Sequence, residues 1–174
     1  MSKVIKCTLS VDSIDKAIQE IEAYRKSFIE KIETLMDVLL ADAYKEAQTR
    51  LASTVGDSTN ASVTKTVPIR SGDSVVATIC LVGEDALFVE FGAGIAYNTG
   101  AEHPYASELG YGVGTYPSKH PPNKAINPGR WIYGHTSDHV PLWSIGTGAS
   151  MPIYYASETI RNNAVKKAKE VFRS

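Results

Sequence analysis

Apolar residues recur at helical spacing through the first third of the chain. Ile14, Ile18, Ile21, Phe28, Ile32, Leu35 and Leu39 follow one another in steps of four, three, seven, four, three and four. That spacing is one face of a helix at close to heptad period. Ser10, Asp12 and Ser13 offer N-cap oxygens ahead of it, and neither Gly nor Pro interrupts it before about residue 51. At 1.5 Å per residue the predicted helix is about 55–60 Å long, against about 30 Å for the width of a domain of this size. Part of the stripe must therefore lie on something other than the chain's own core, a second helix or a second subunit. A break near residues 37–42 is the alternative.

A period of two takes over further on. Residues 4–9 form a short strand candidate before the helix. After a turn-rich stretch at 53–60, residues 62–69 alternate, with Val63, Val67 and Ile69 on one side and Ser62, Thr64 and Thr66 on the other. A hairpin-type turn at 70–73 leads to 74–82, which is apolar on both faces, as in an inner strand. In the next apolar run, 86–91, Leu87, Val89 and Phe91 alternate with Phe88 and Glu90, and Gly92-Ala93-Gly94 follows. It reads as a third strand with one buried face, bent sharply at Gly92 and Gly94. A carboxylate in such a run is costly to bury alone, so Glu90 requires a specific partner, in this chain or in a neighbour. The expected fold class is α+β: a small antiparallel sheet packed with a long N-terminal helix and a C-terminal helix, in a single domain over 1–174.

Between the sheet and the last helix, residues 92–148 form an extended Gly/Pro/aromatic loop region. Only 130–133 and 142–145 read there as short strands or core anchors. Tyr97, Tyr105, Tyr111, Tyr116, Trp131, Tyr133 and Trp143 are too many aromatics for a disordered tail and suit a segment that packs on another protein. The last helix opens near residues 149–150, with Pro152 in its first turn and Tyr155, Thr159, Ala164, Ala168, Val171 and Phe172 as a thin apolar stripe. Arg161, Lys166, Lys167, Lys169 and Arg173 crowd its C-terminal half, where positive charge complements the helix dipole.

Composition narrows the function by exclusion. The 174 residues are 43% hydrophobic and 21% charged, with a net charge of -1. This is an ordinary globular balance without a basic field for nucleic acid or an anionic membrane. No segment is long and apolar enough to span a bilayer and no signal pattern is visible, so a soluble intracellular protein is expected. Cys7 and Cys80 sit in apolar runs and read as small buried thiols.

The chemistry-bearing motifs fail one by one. Gly92-x-Gly94 has Tyr97 where a dinucleotide fold needs its third glycine, and there is no Gly-Lys-Ser/Thr phosphate loop. His103, His120, His135 and His139 lie in the loop region with Glu102 and Asp138 nearby. His135 and His139 have the spacing of a helical zinc pair, but the Glu after the first His is missing, and Gly134 and Pro141 oppose a helix. Polar loop histidines are the plain reading; a metal-dependent hydrolase is the alternative. Ser144 and Ser150 lack a nucleophile elbow, and neither cysteine has a histidine near it in sequence. The expectation is no enzyme activity, no cofactor and no metal.

Residues 86–94, centred on Val89-Glu90-Phe91-Gly92, are similar to the apolar-Val-Glu-Phe-Gly signature of the tail-completion (head–tail joining) proteins of long-tailed bacteriophages and prophages. Gly129-Arg130-Trp131-Ile132-Tyr133 matches that family as well. Residues 148–156 resemble its small-x-Pro-aromatic-x-Ala lead into the C-terminal helix, and the long N-terminal helix agrees. Ala93 stands where the family commonly has Thr, and the loop at 95–128 is longer than usual. The resemblance implies a virion structural protein of the tail or neck, assembled in the host cytoplasm, with no enzyme activity and no cofactor. Its partners would be its own copies in a ring-like homo-oligomer and the phage neck, connector and tail-tube proteins, with no specific nucleic acid and no membrane. The expected structural and interaction residues are Glu90, Phe91, Gly92, Gly94, Trp131, Tyr133, Trp143, Pro152 and Tyr155.

Overall fold

The computed structural model describes residues 4–54, 60–72, 74–92, 103–109, 131–144 and 148–173, and of residues 131–135 and 141–144 the backbone only. Two helices form the frame. The first, α1 (Val11–Thr54), is one continuous helix of 44 residues, about 66 Å long, with no break at 37–42. Its first turn closes on the Ser10 carbonyl, which accepts the Ser13 and Ile14 N–H groups at 3.1 and 3.0 Å. The last helix, Pro152–Arg173, runs antiparallel to it. Phe172 packs on Phe28 with ring centroids 5.4 Å apart, Lys167 Nζ lies 3.3 Å from Asp42 Oδ2, and the Arg50 guanidinium sits 3.6 Å from the Tyr155 ring centroid. The last helix thus covers α1 from about residue 50 back to residue 28. Residues 11–27 run on beyond it for about 25 Å.

A β-ribbon lies across the C-terminal half of α1. Strands β1 (Ser62–Lys65) and β4 (Ile79–Val82) pair antiparallel, and so do β2 (Ile69–Ser71) and β3 (Ser74–Val76). The strands expected at 62–69 and 74–82 are therefore two arms of one hairpin, each interrupted once. Pro68 has no N–H to offer a ladder. The gap is bridged by Thr66 N–H donating to the Thr78 carbonyl and Thr78 N–H donating to Thr66 Oγ1, each at 2.9 Å. Gly72, at φ 61°, makes the turn.

The core sits where the ribbon meets both helices. Ala43 and Ala47 of α1, Val63 of β1 and Ala156 of the last helix are buried together, flanked by Tyr44, Leu51, Ile79, Leu81 and Ile160. The three alanines let helix and helix approach closely, and interiors packed at this density have little room for extra atoms. Ala47→Leu should lower unfolding stability by about 1–3 kcal/mol through overpacking, read as a lower urea midpoint; an unchanged midpoint would mean the crossing is looser than described.

Four expectations are corrected. Residues 86–91 are not a third strand but a short helix, α2 (Ala86–Phe91). Val89 and Glu90 are both buried, and two adjacent buried residues cannot share one face of a strand, whereas they occupy one side of a helical turn. The last helix is accordingly α3. Residues 4–9 form no strand, and Val4 and Leu9 are exposed, with no strand among the described residues placed to supply a ladder. Residues 74–82 are not an inner strand: β4 pairs with β1 alone among the described residues, with Ile79 and Leu81 turned to the core and Val82 outward. Cys7 and Cys80 are exposed rather than buried.

Within the loop region, the two segments expected as strands do pair. β5 (Trp131–His135) and β6 (Pro141–Ser144) form an antiparallel hairpin in which Trp131 faces Ser144 and Ile132 faces Trp143. The register shifts between Ile132 and Gly134, so Tyr133 is the extra residue of a bulge.

Candidate functional site

The buried carboxylate of Glu90 is the chemical centre of the described structure. α2 starts where Val89 N–H reaches the Asp85 carbonyl at 2.9 Å and stops where Gly92 N–H reaches the Phe88 carbonyl at 2.8 Å. Gly92 then leaves at φ 76°, a left-handed conformation that suits a residue without Cβ. This single turn and a half puts Val89 and Glu90 against the head of α3.

α3 has no cap from its own leading residues. Met151 offers no side-chain oxygen, and Ser150 is engaged elsewhere: its N–H and Oγ both donate to the Val89 carbonyl, at 2.9 and 3.0 Å. Glu90 takes the capping role from another element. Its Oε2 accepts the Ile153 N–H and its Oε1 the Tyr154 N–H, each at 2.9 Å. These are orphan donors of the first helical turn, and a carboxylate there also meets the positive end of the helix dipole. Pro152, at the first helical position, has no N–H to satisfy. Met151 is held at φ 54°, a conformation that costs a non-glycine residue of order 1 kcal/mol and that the Ser150 and Glu90 bonds on either side enforce.

His103 completes the cluster. It is 6% exposed, and its Nε2 lies 3.2 Å from Glu90 Oε1. Its Nδ1 accepts the Tyr105 N–H at 3.1 Å, so the proton of the neutral ring belongs on Nε2, donated to Glu90. The ring is boxed by aromatics, with Phe91 at 4.4 Å and Tyr154 at 5.4 Å between centroids. Both nitrogens of His103 and both oxygens of Glu90 have protein partners, which makes the pair a clamp between α2, the 103–109 turn and α3. Beside it opens a largely apolar groove of about 450 Å³ lined by Ile79, Leu81, Leu87, Phe91 and Tyr154.

The expected site residues divide accordingly. Glu90, Phe91, Gly92 and Pro152 converge on this clamp. Tyr155, one residue beyond it, turns to α1, where Arg50 stacks on it and also bonds Glu46 at 2.9 Å. Trp131, Tyr133 and Trp143 belong to the β5–β6 hairpin. Gly94 lies outside the described residues, as do His120 and Glu102. The requirement that Glu90 have a specific partner is met inside the chain, by backbone N–H groups and by His103. His103 was a plain loop histidine in the sequence; no local pattern separates it from the other three. His135 ends β5, and His139, at φ 60°, lies in the β5–β6 turn, so their spacing is not helical. Among the described residues no group of three or more His, Cys, Asp or Glu side chains is placed to hold a metal ion.

No family model matches this chain, and neither a curated protein nor a solved structure matches it.

Proposed function

We propose that this chain is a structural subunit of a phage or prophage virion, acting in tail completion and head–tail joining. It works by assembly rather than by chemistry: copies of the chain form a ring-like oligomer at the tail or neck and contact connector and tail-tube proteins. The observation that carries the reading is the apolar face of α1, which continues for about five turns beyond the end of α3, with Ile14, Ile18, Ile21 and Tyr24 between 41% and 55% exposed. Exposed apolar surface of that extent marks a site of protein contact. A second support is the meeting of two segments that carry the family resemblance. The Val89-Glu90-Phe91-Gly92 turn and the 148–156 segment are joined through Glu90 and Ser150 into one unit.

The test is sedimentation of the purified full chain with and without isolated tail tubes and connectors. Co-sedimentation with either is the expected result. A chain that binds neither component overturns the reading. A metal-dependent hydrolase on the loop histidines has no comparable support.

A further inference from the structure

The uncovered face of α1 is a direct continuation of the face that the core uses. Ile29, Leu39, Ala43 and Ala47 are buried along it, and Val11, Ile14, Ile18, Ile21 and Phe28 extend the same side toward the N-terminus with no turn away. We infer that this extension is covered by a second copy of the chain, lying antiparallel, so that residues 11–28 of the two copies cover each other.

Three features of the segment favour that occupant. The first is spacing. Val11, Ile14, Ile18, Ile21, Arg25 and Phe28 are separated by three, four, three, four and three residues, a series that reads the same in both directions. Laid antiparallel on itself, the segment matches Ile14 with Arg25 and Ile18 with Ile21 of the other copy, and Val11 with the part of Phe28 that Phe172 leaves open, as a two-fold contact between identical patches requires. The stem of Arg25 covers apolar surface while its head reaches the rim.

The second is the one charge within the stripe. An in-register parallel pair would set Arg25 against Arg25 of the other copy, whereas the antiparallel arrangement sets it against Ile14. Like charges held face to face select against an arrangement more than they change raw affinity. The third is extent. Two faces about 25 Å long remove on the order of 1,000 Å² from water, which reaches the lower bound of specific interfaces.

The inference does not rest on the phage reading. A two-fold contact closes at two copies, so it describes the free protein, and assembly in a virion would exchange the second copy for another occupant of the same face. Tail-tube binding and self-association are measured separately, and either can fail alone.

The experiment is analytical ultracentrifugation of the full chain at tens of micromolar. The expected mass is twice the chain mass of 18.8 kDa. Ile18→Asp combined with Ile21→Asp should halve it while leaving the helical circular dichroism unchanged. Direction is read by disulfide trapping with Cys7→Ser and Cys80→Ser as background, which also serves if the double variant fails to fold. A mixture of Ile14→Cys and Arg25→Cys proteins should cross-link, and neither should cross-link alone. A single-copy mass for the unmodified chain, an assembly larger than two, a dimer indifferent to the two aspartates, or Ile14→Cys cross-linking to itself would each overturn the inference.

Discussion

Glu90→Ala should lower the stability of this protein by about 3–5 kcal/mol, the range for removing one partner from a buried charged network. The residue is 7% exposed, and its carboxylate receives three hydrogen bonds, two from backbone N–H groups at the head of α3 and one from His103. Truncation leaves the Ile153 and Tyr154 N–H groups and the His103 Nε2–H without acceptors, away from solvent. At about 2–4 °C per kcal/mol for a chain of this size, the melting temperature should fall by about 10 °C. Glu90→Gln keeps the shape and one acceptor oxygen but points an amide donor at another donor; about 1.5–3 kcal/mol is expected, the worth of a hydrogen bond to a charged group. Urea unfolding of the two variants measures both. Equal and small losses would mean that α3 is held by its packing on α1 and that the carboxylate is incidental.

The same network makes a prediction about coupling. His103→Ala removes one donor and leaves the helix cap in place, so it should cost less than Glu90→Ala. The double variant should fall short of the sum of the singles, because once Glu90 is gone His103 has lost the acceptor of its Nε2–H. A coupling near zero in this cycle would separate the histidine from the cap.

The frame of the fold was legible because its signals are long. A stripe running from Ile14 to Leu39 without Gly or Pro leaves little but a helix, and Pro152 followed by an uninterrupted helical run sets the start of α3. Two strand arms around a Gly-containing turn were equally plain, down to the turn at Gly72. What was not legible depended on short segments. The six residues of α2 alternate as well as a strand would, and it is the bonds from the Val89 and Gly92 N–H groups back to the Asp85 and Phe88 carbonyls that show the helix. The sheet also stops at two strands because that third segment turns into a helix and leaves β4 with one neighbour. Cys80, on the outer face of β4, becomes exposed for the same reason.

The site was half legible. A carboxylate in an apolar run demanded a partner, and the demand was correct, but sequence could not say that the partner was the bare end of a helix starting 62 positions later at Pro152. Helix caps are usually sought next to the helix, and here the neighbouring Ser150 oxygen is spent on Val89. His103 was hidden because nothing in its surroundings distinguishes a buried imidazole from a solvated one until Phe91 and Tyr154 are folded around it.

Gly83→Ala should be about as damaging as the Glu90 truncation, for a different reason. Gly83 sits at φ 122°, where an L side chain is strained, and a Cβ there would overlap the Asn60 carbonyl oxygen and crowd Ala61 Cα. The neighbours have no freedom to retreat: Asn60 N–H donates to Asp85 Oδ2 at 2.7 Å and Asp85 N–H to the Asn60 carbonyl at 3.4 Å. Backbone strain of about 1–3 kcal/mol and a similar overpacking cost place the loss at about 2–5 kcal/mol. Gly72→Ala supplies the control, because Gly72 also has a positive φ, 61°, but nothing lies within 4 Å of its added Cβ; strain alone should cost it about 1–2 kcal/mol. The larger effect at Gly83 should also reach the clamp. Asp85 opens α2, and displacing it moves Glu90 off the head of α3, so Gly83→Ala and Glu90→Ala should together cost less than their sum. If the two glycine variants unfold at the same urea concentration, the Asn60–Gly83–Asp85 contact is not what positions α2, and the carboxylate must be steered into place from the α3 side.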